Sequence, residues 1–359
     1  MTIGLYHPRA LAGDGGITRS VRSLSAAMEK LGYPTRVIYD GPPGSSVRDS
    51  WVGVKHIQAG PLHVPLDLEE AISGLDVLVL HSAWVSYNVV AGEKAKSLGI
   101  PYVLAHRGAY EPRILDRRRL AKRAWWHLFE KRLVEGAAAV HVFFDAQADQ
   151  VRSLGFDGPL VVAPNGVEVP DDISWDGGSD GALLYVGRFD MEHKGLGTLL
   201  DAVAMIPTGR RPNLTLVGPD WRGGKEATAA TVQRLGLSSW VEVRPPVYGR
   251  AKFELMASAL GFVYPSLFEA FGNSVAEAAS LGVPVLTGRY PLGSYLEARG
   301  AGIAVEPNPE SMAAGLETLI EPDSARLGWS ARQAMRPFTW DAVARAWAQQ
   351  LLTLVPAHA

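Results

Sequence analysis

Residues 263–286 read Val-Tyr-Pro-Ser-Leu-Phe-Glu-Ala-Phe-Gly-Asn-Ser-Val-Ala-Glu-Ala-Ala-Ser-Leu-Gly-Val-Pro-Val-Leu. A strand ends near Tyr264, a loop carries Glu269 and Gly272, and a helix follows with Asn273 or Ser274 as its capping residue and Gly282 as its stop. The first N–H groups of such a helix have no partner within it. They aim past the carboxyl end of the strand and favour an anion there. Glu269 in the loop and Glu277 in the second helical turn flank that place. Carboxylates repel phosphate; as acceptors they suit sugar and ribose hydroxyls.

A second strand-to-helix junction lies upstream. Residues 185–195 read Tyr-Val-Gly-Arg-Phe-Asp-Met-Glu-His-Lys-Gly, with Arg188 and Lys194 on one loop before a helix that starts at Leu196. Two cations at the carboxyl end of a strand suit a diphosphate, in the crevice where open α/β sheets bind ligands.

Around these junctions the chain alternates strands and helices. Ile3 to Tyr6, Thr35 to Tyr39, Asp76 to Leu80 and Tyr102 to Ala105 read as strands in the first half. Ala182 to Val186, Leu214 to Val217, Val241 to Val243, Gly261 to Tyr264 and Val283 to Thr287 follow in the second. These runs lack polar alternation, as expected of parallel strands covered on both faces. Thr18 to Leu31 reads as a helix stopped by Gly32, and Phe338 to Leu354 as another, with Thr339 as N-cap before Trp340. The turn-rich stretch Pro164 to Gly181 reads as the linker between two α/β domains.

Bulk properties agree. A length of 359 residues suggests two domains at about 150 residues each. With 47% hydrophobic and 20% charged residues the chain is an ordinary globular one, not a disordered or fibrous one. The net charge of -2 lacks the basic excess of a nucleic-acid binder. The absence of cysteine excludes disulfides, thiolate metal sites and a cysteine nucleophile. No D-x-D, no histidine cluster with metal-ligand spacing and no G-x-S-x-G is present. No apolar run approaches the ~18 residues of a spanning helix. Met1 to Pro8 lacks the features of a signal peptide, so a cytoplasmic location is expected.

The segment around Glu269 and Glu277 resembles the nucleotide-sugar glycosyltransferases of family 4, which have the GT-B fold. The likeness covers the two glutamates eight positions apart, Pro265-Ser266, Phe271-Gly272-Asn273-Ser274 and the exit Gly282-Val283-Pro284-Val285. Ala270 departs from it, since many members have glycine there. The resemblance implies that Arg188 and Lys194 bind the donor diphosphate. It also implies that Glu269 holds the hydroxyls of the donor sugar and that Glu277 takes the ribose. Phe271, Gly272, Asn273, Ser274 and Val275 complete the donor site. Arg244-Pro245-Pro246-Val247 follows a strand where members of the family contact the nucleobase, which places Val247 in that site.

The first half carries thinner signals. Gly13, Gly15 and Gly16 resemble the family's glycine-rich N-terminal loop, where backbone approaches the substrates. A dinucleotide fingerprint with Asp40 as ribose ligand competes with that reading, although Thr18 stands where its last glycine belongs. His106-Arg107-Gly108 resembles the His-Gly or Arg-Gly element of the acceptor domain, so that either His106 or Arg107 takes the functional place. His81 also ends a strand, and His141 sits in an apolar stretch that suggests packing. Pro164-Asn165-Gly166-Val167 resembles the family's interdomain hinge. Residues 113–132 carry eight positive and two negative side chains, with Trp125, Trp126 and Phe129 interleaved. Their polar and apolar faces are not separated, which favours packing within the first domain over an interfacial helix.

Together these readings predict an α/β protein of the GT-B fold, with two Rossmann-like domains of mostly parallel strands facing across a cleft. The acceptor-side domain spans 1–165, the nucleotide-sugar donor domain 166–337, and the helix of 338–359 returns to the first. The implied activity is retaining, metal-independent transfer of a hexosyl residue from a nucleotide-diphosphate sugar. The acceptor is a polysaccharide, a lipid-linked saccharide or a small molecule. Arg188, Lys194, Glu269 and His106 are the catalytic candidates; Gly15 and Gly16 join the donor-binding set. No cofactor beyond the co-substrate, no metal and no nucleic acid are expected, and membrane association would be weak and peripheral. A GT-B epimerase, hydrolase or phosphorylase, a non-catalytic sugar-nucleotide binder and an NAD-dependent oxidoreductase are the alternatives.

Overall fold

The computed structural model describes residues 1–11, 15–42, 50–60, 62–116 and 119–355. Gly13, Arg117 and Arg118 lie outside the described residues. The chain divides into two compact units, one of Met1–Gly166 with Phe338–Ala359 and one of Val167–Pro337.

The first unit contains β1 (Ile3–Tyr6), β2 (Thr35–Asp40), β3 (Trp51–Val54), β4 (His56–Ala59), β5 (Leu62–Pro65), β6 (Val77–His81), β7 (Tyr102–Ala105), β8 (Ala139–Val142) and β9 (Leu160–Val162). Seven of them make a sheet in the order β3-β2-β1-β6-β7-β8-β9, parallel at every pairing; β4 and β5 form a separate antiparallel hairpin. Successive strand residues point to opposite faces. Leu78 and Leu80 therefore enter one core, and Val77 and Val79 the other. Burial on both faces is why β6 reads as an unbroken apolar run.

The helix Trp340–Leu352 belongs to this unit. It packs in the same core as Val21, Leu24 and Met28 of the helix Gly16–Lys30, through Val343, Ala344 and Trp347. Thr339 caps it, its Oγ1 accepting from the Ala342 N–H at 3.3 Å. The Trp347 ring stacks on His141 with centroids 4.5 Å apart. On β9, at the edge of the sheet, the Gln350 amide accepts from the Val162 N–H at 2.8 Å and donates to the Val162 carbonyl at 3.0 Å. A side chain thus takes the place of a further strand.

The second unit contains β10 (Ala182–Val186), β11 (Asn213–Val217), β12 (Val241–Arg244), β13 (Gly261–Tyr264), β14 (Val285–Gly288) and β15 (Ile303–Val305). They form one parallel sheet in the order β12-β11-β10-β13-β14-β15. The order reverses between β10 and β13. Their following loops adjoin at this switch point, the place where such sheets bind ligands.

The sequence reading misses β3, the β4–β5 hairpin, β8, β9 and β15. The turn-rich stretch 164–181 is less of a linker than it reads. Ile173 is buried, Trp175 donates its indole N–H to the Ala259 carbonyl at 2.8 Å, and the Trp175 N–H binds the Leu281 carbonyl at 2.9 Å. Two apolar side chains anchor it to the second unit despite its turn formers.

Candidate functional site

In the second unit the loops after β10 and β13 are braced against each other. The Leu267 N–H and the Ser266 hydroxyl donate to the His193 carbonyl at 2.9 and 3.0 Å. The His193 ring stacks on Phe268 with centroids 4.0 Å apart, and its Nε2–H donates to the Phe268 carbonyl at 2.9 Å. Burial, then the neighbouring Lys194 charge, lowers the His193 pKa, so the ring is held neutral. Gly195 makes the close approach feasible. Its φ is +68°, and a Cβ there would meet the Pro265 carbonyl oxygen at 2.3 Å.

This brace brings Lys194 to Glu269. The Lys194 ammonium donates to Glu269 Oε1, and only 6% of the lysine side chain and 15% of the glutamate side chain remain exposed. The ammonium also lies 5.1 Å from the centroid of the Tyr264 ring. Arg188 stands on the same loop and is half-buried, its guanidinium 4.3 Å over the Trp221 ring. It pairs with no carboxylate among the described residues.

The helix after β13 runs over Asn273–Leu281. Its N-cap is Gly272, not Asn273 or Ser274, and no side chain caps it. The reason is the backbone: Gly272 has a φ of +100°, a value that leaves the capping position to glycine. The first intrahelical bond runs from the Ala276 N–H to the Gly272 carbonyl, so the N–H groups of Ser274 and Val275 precede it. Phe271 and Val275 are buried with the core. Any ligand contact of Val275 therefore comes from its backbone. Glu277, in the second turn, forms an ion pair with Lys252 of the neighbouring helix Gly249–Ser258 at 2.7 Å. Both side chains are nearly buried, at 13% and 10% exposure. Val247 is half-buried in the loop after β12.

In the first unit, Gly15 is the N-cap of the helix Gly16–Lys30. His106 follows β7. It is buried and stacks on Tyr110 with centroids 4.6 Å apart, and neither ring nitrogen has a partner. Burial and the adjacent Arg107 lower its pKa to about 3. Arg107 donates from Nε and Nη2 to His81 Nδ1 at 3.2 and 3.0 Å, and from Nη1 to Asn165 Oδ1 at 3.1 Å. Burial lowers the guanidinium pKa to about 9. The basic segment is tied down by Glu130, which is fully buried and accepts from Tyr110, Trp125 and the Trp84 N–H at 2.8, 2.9 and 3.0 Å.

The structure adds side chains that sequence reasoning passed over. Lys252 and Trp221 reach the site from separate elements and match no local pattern. Asp40, His56 and His63 converge because the β4–β5 hairpin places His56 and His63 diagonally on one face. Their side chains lie 3.2 Å (His56 to Asp40) and 3.3 Å (His63 to Asp40) apart. These three are the residues able to share a metal among the described ones. Both His56 nitrogens are already engaged, Nδ1 with the Val54 carbonyl at 2.8 Å and Nε2 with the Tyr6 hydroxyl at 2.7 Å. This is a hydrogen-bonded cluster more than an open ligand set. It also occupies Asp40, the ribose ligand of the dinucleotide alternative. No helix among the described residues is long and apolar enough to cross a membrane.

Residues 15–166 match the family model of the glycosyl transferase 4-like domain, and residues 180–322 match that of glycosyl transferases group 1. Over 166 residues the chain is 30% identical to O-antigen chain mannosyltransferase B of Escherichia coli, covering 45% of this chain and 43% of that protein. It thus spans less than half the length of that relative. It is 24% identical to MMP alpha-(1->4)-mannosyltransferase of Mycolicibacterium hassiacum over 96% of each chain. The structure of Anabaena HepE in complex with UDP-glucose superposes with a TM-score of 0.74 at 18% identity, covering 98% of this chain and 100% of that one.

Proposed function

We propose that this chain, a glycosyl transferase 4-like domain followed by a glycosyl transferases group 1 domain in the GT-B fold, transfers a hexosyl residue from a nucleotide-diphosphate sugar to a saccharide or small-molecule acceptor, retaining the anomeric configuration. The observation that carries the proposal is the braced pair of loops at the switch point. They hold Lys194 on Glu269, which lies in the loop that leads into the helix Asn273–Leu281, and carry Arg188 on the same loop as Lys194. Cations and uncommitted N–H groups there oppose the charge that grows on a departing diphosphate. Glu269 accepts hydrogen bonds from the sugar, and Glu277, held by Lys252, accepts from the ribose. His106, buried after β7 as a neutral ring, is assigned to the acceptor, to which it has one N–H to donate. The complex of HepE with UDP-glucose supports a nucleotide-sugar donor.

In this mechanism the glycosidic C–O bond to the diphosphate breaks first. Positive charge builds at the anomeric carbon while the electron pair leaves with the phosphate oxygen. Arg188 and Lys194 stabilise that oxygen. The acceptor hydroxyl attacks from the same face, and its proton passes to the departing phosphate, so no enzymic nucleophile is required. Calorimetric titration with UDP, GDP, ADP and TDP tests the donor site. Product analysis with and without acceptor separates transfer from hydrolysis. If none of the four nucleotides binds, the proposal is wrong.

A further inference from the structure

Arg107 is an arginine without a counter-charge. Its side chain pairs with no carboxylate among the described residues, and its protein acceptors are the neutral His81 and Asn165. A guanidinium has five N–H donors. Nε–H and one Nη2–H go to His81, and one Nη1–H goes to Asn165, which leaves one N–H on each terminal nitrogen. Because His81 Nδ1 accepts from Arg107, its proton sits on Nε2, an atom that is buried without a partner. His7, whose ring centroid is 6.4 Å from that of His81, likewise has a buried Nδ1 without a partner. Buried polar groups in a folded protein are nearly always satisfied, and two of those left unpaired belong to His81, which holds this cation, and to His7 beside it.

The backbone around this place is strained in the same sense. Ser82, Trp84 and Arg107 have φ values of +85°, +61° and +55° without being glycine. They follow the carboxyl ends of β6 and β7, which are neighbours in the sheet. Left-handed non-glycine residues persist where the surrounding structure enforces them, and they cluster at ligand sites. The deficit of acceptors, the lack of negative charge and the strained strand ends coincide.

We propose that Arg107, with His81 and Asn165 as its positioning residues, receives a phosphate group carried by the acceptor. The terminal oxygens of a phosphate offer the acceptors that the two remaining guanidinium N–H groups lack, and its charge offsets a cation that the protein leaves uncompensated. The donor diphosphate has its own cations, Arg188 and Lys194, in the other unit. Calling the ligand the acceptor rests on the transfer reading; the phosphate site itself does not.

The test uses the full chain and inorganic phosphate, with acetate at equal ionic strength as comparison. Histidine ring resonances are followed by NMR, and affinity is measured by calorimetry. Saturable phosphate binding that moves the His81 resonance is expected. Arg107→Met, checked for folding by its melt, should weaken that binding by about tenfold or more, while Arg188→Ala should leave the His81 response intact. A silent His81 resonance in the unmodified protein at saturating phosphate would overturn the proposal without recourse to any variant. So would an equal response to acetate, or a response lost in Arg188→Ala but kept in Arg107→Met. Failure of all four nucleoside diphosphates to bind would strike the transfer reading instead and leave this result standing.

Discussion

Lys194 and Glu269, separated by 75 residues in sequence, form a nearly buried ion pair at the switch point of the second sheet. Each had a separate task in the sequence reading, one for phosphate and one for sugar. The pair ties the two tasks together, because a donor that engages one residue must alter the other. Removing one partner of a buried pair leaves an uncompensated charge and costs roughly 3–5 kcal/mol. Lys194→Ala should therefore lower the melting temperature of the ligand-free protein and weaken nucleoside diphosphate binding by about ten- to a hundredfold. Glu269→Gln should bind free nucleoside diphosphate at least as well as the unmodified protein, since it releases Lys194, yet bind the sugar nucleotide less well. Calorimetry with both ligands checks this. Equal losses for the two ligands in Glu269→Gln would remove Glu269 from the sugar site.

Arg188 has an aromatic neighbour and no carboxylate partner among the described residues. Its removal should leave the fold nearly unchanged, unlike that of Lys194. Arg188→Ala should weaken nucleoside diphosphate by about ten- to a hundredfold, with a larger fall in turnover, because charge on the diphosphate grows as the bond breaks. Arg188→Lys should fall between, keeping the charge and losing the planar stack on Trp221. Parallel melts and titrations separate these effects. Wild-type affinity in both variants would remove Arg188 from the site.

Lys252 should matter although it need not touch the donor. Lys252→Met leaves Glu277 buried without its cation and should destabilise the protein by about 3–5 kcal/mol. It should also weaken a ribonucleoside diphosphate more than inorganic pyrophosphate, because the ribose acceptor loses its orientation. A uniform loss for both ligands would assign Lys252 to stability alone.

Acid should unfold the first unit through its buried histidines. Burial holds His106 at about 3 and His7 at about 4, and it lowers His81 and His141 as well. An unfolded histidine titrates near 6.5. Below that value the unfolded state binds more protons, so stability is full above pH 6.5 and falls as pH drops toward the folded values. Each such residue contributes up to about 1.4 kcal/mol per pH unit in that window. Denaturant titrations at pH 7, 6 and 5 check the slope. His106→Phe keeps the stack on Tyr110 and should reduce the slope by one residue's share while abolishing most turnover. An unchanged slope would mean that His106 is already neutralised by other means.

Transfer should persist in excess EDTA, since Arg188, Lys194 and the helix N-terminus are assigned the leaving-group charge. Loss of activity restored by manganese or magnesium would overturn that assignment.

The second unit was the more legible half. Its strands are short apolar runs, and Arg188, Lys194, Glu269 and Glu277, the candidates for the donor site, fall in the loops after two strands or in the helix that follows, where local sequence can place them. What sequence withheld is pairing between distant segments: Lys194 with Glu269 and Lys252 with Glu277. In the first unit, β3 and the β4–β5 hairpin were missed because Trp51–Val54 is a run of only four residues broken by a glycine, and His56–Ala59 mixes polar and apolar residues in another run of four. Gly272 as cap was missed because side-chain capping preferences point to Asn273 or Ser274, whereas backbone geometry selects glycine. Arg107 was left level with His106, since sequence shows neither the missing counter-charge nor the strained backbone.

The Gln350–Val162 clasp bears on how the molecule is made. The two residues are 188 positions apart. A ribosome adding about 5–20 residues per second needs roughly 10–40 s to travel between them. For that interval the first sheet emerges with β9 unclasped and with the core face later covered by Val343, Ala344 and Trp347 still open. The second unit, continuous from Val167 to Pro337, can complete itself in the meantime. The half translated first is thus the half finished last, and a nascent chain stalled before residue 340 would expose to chaperones a sheet edge that the finished protein conceals.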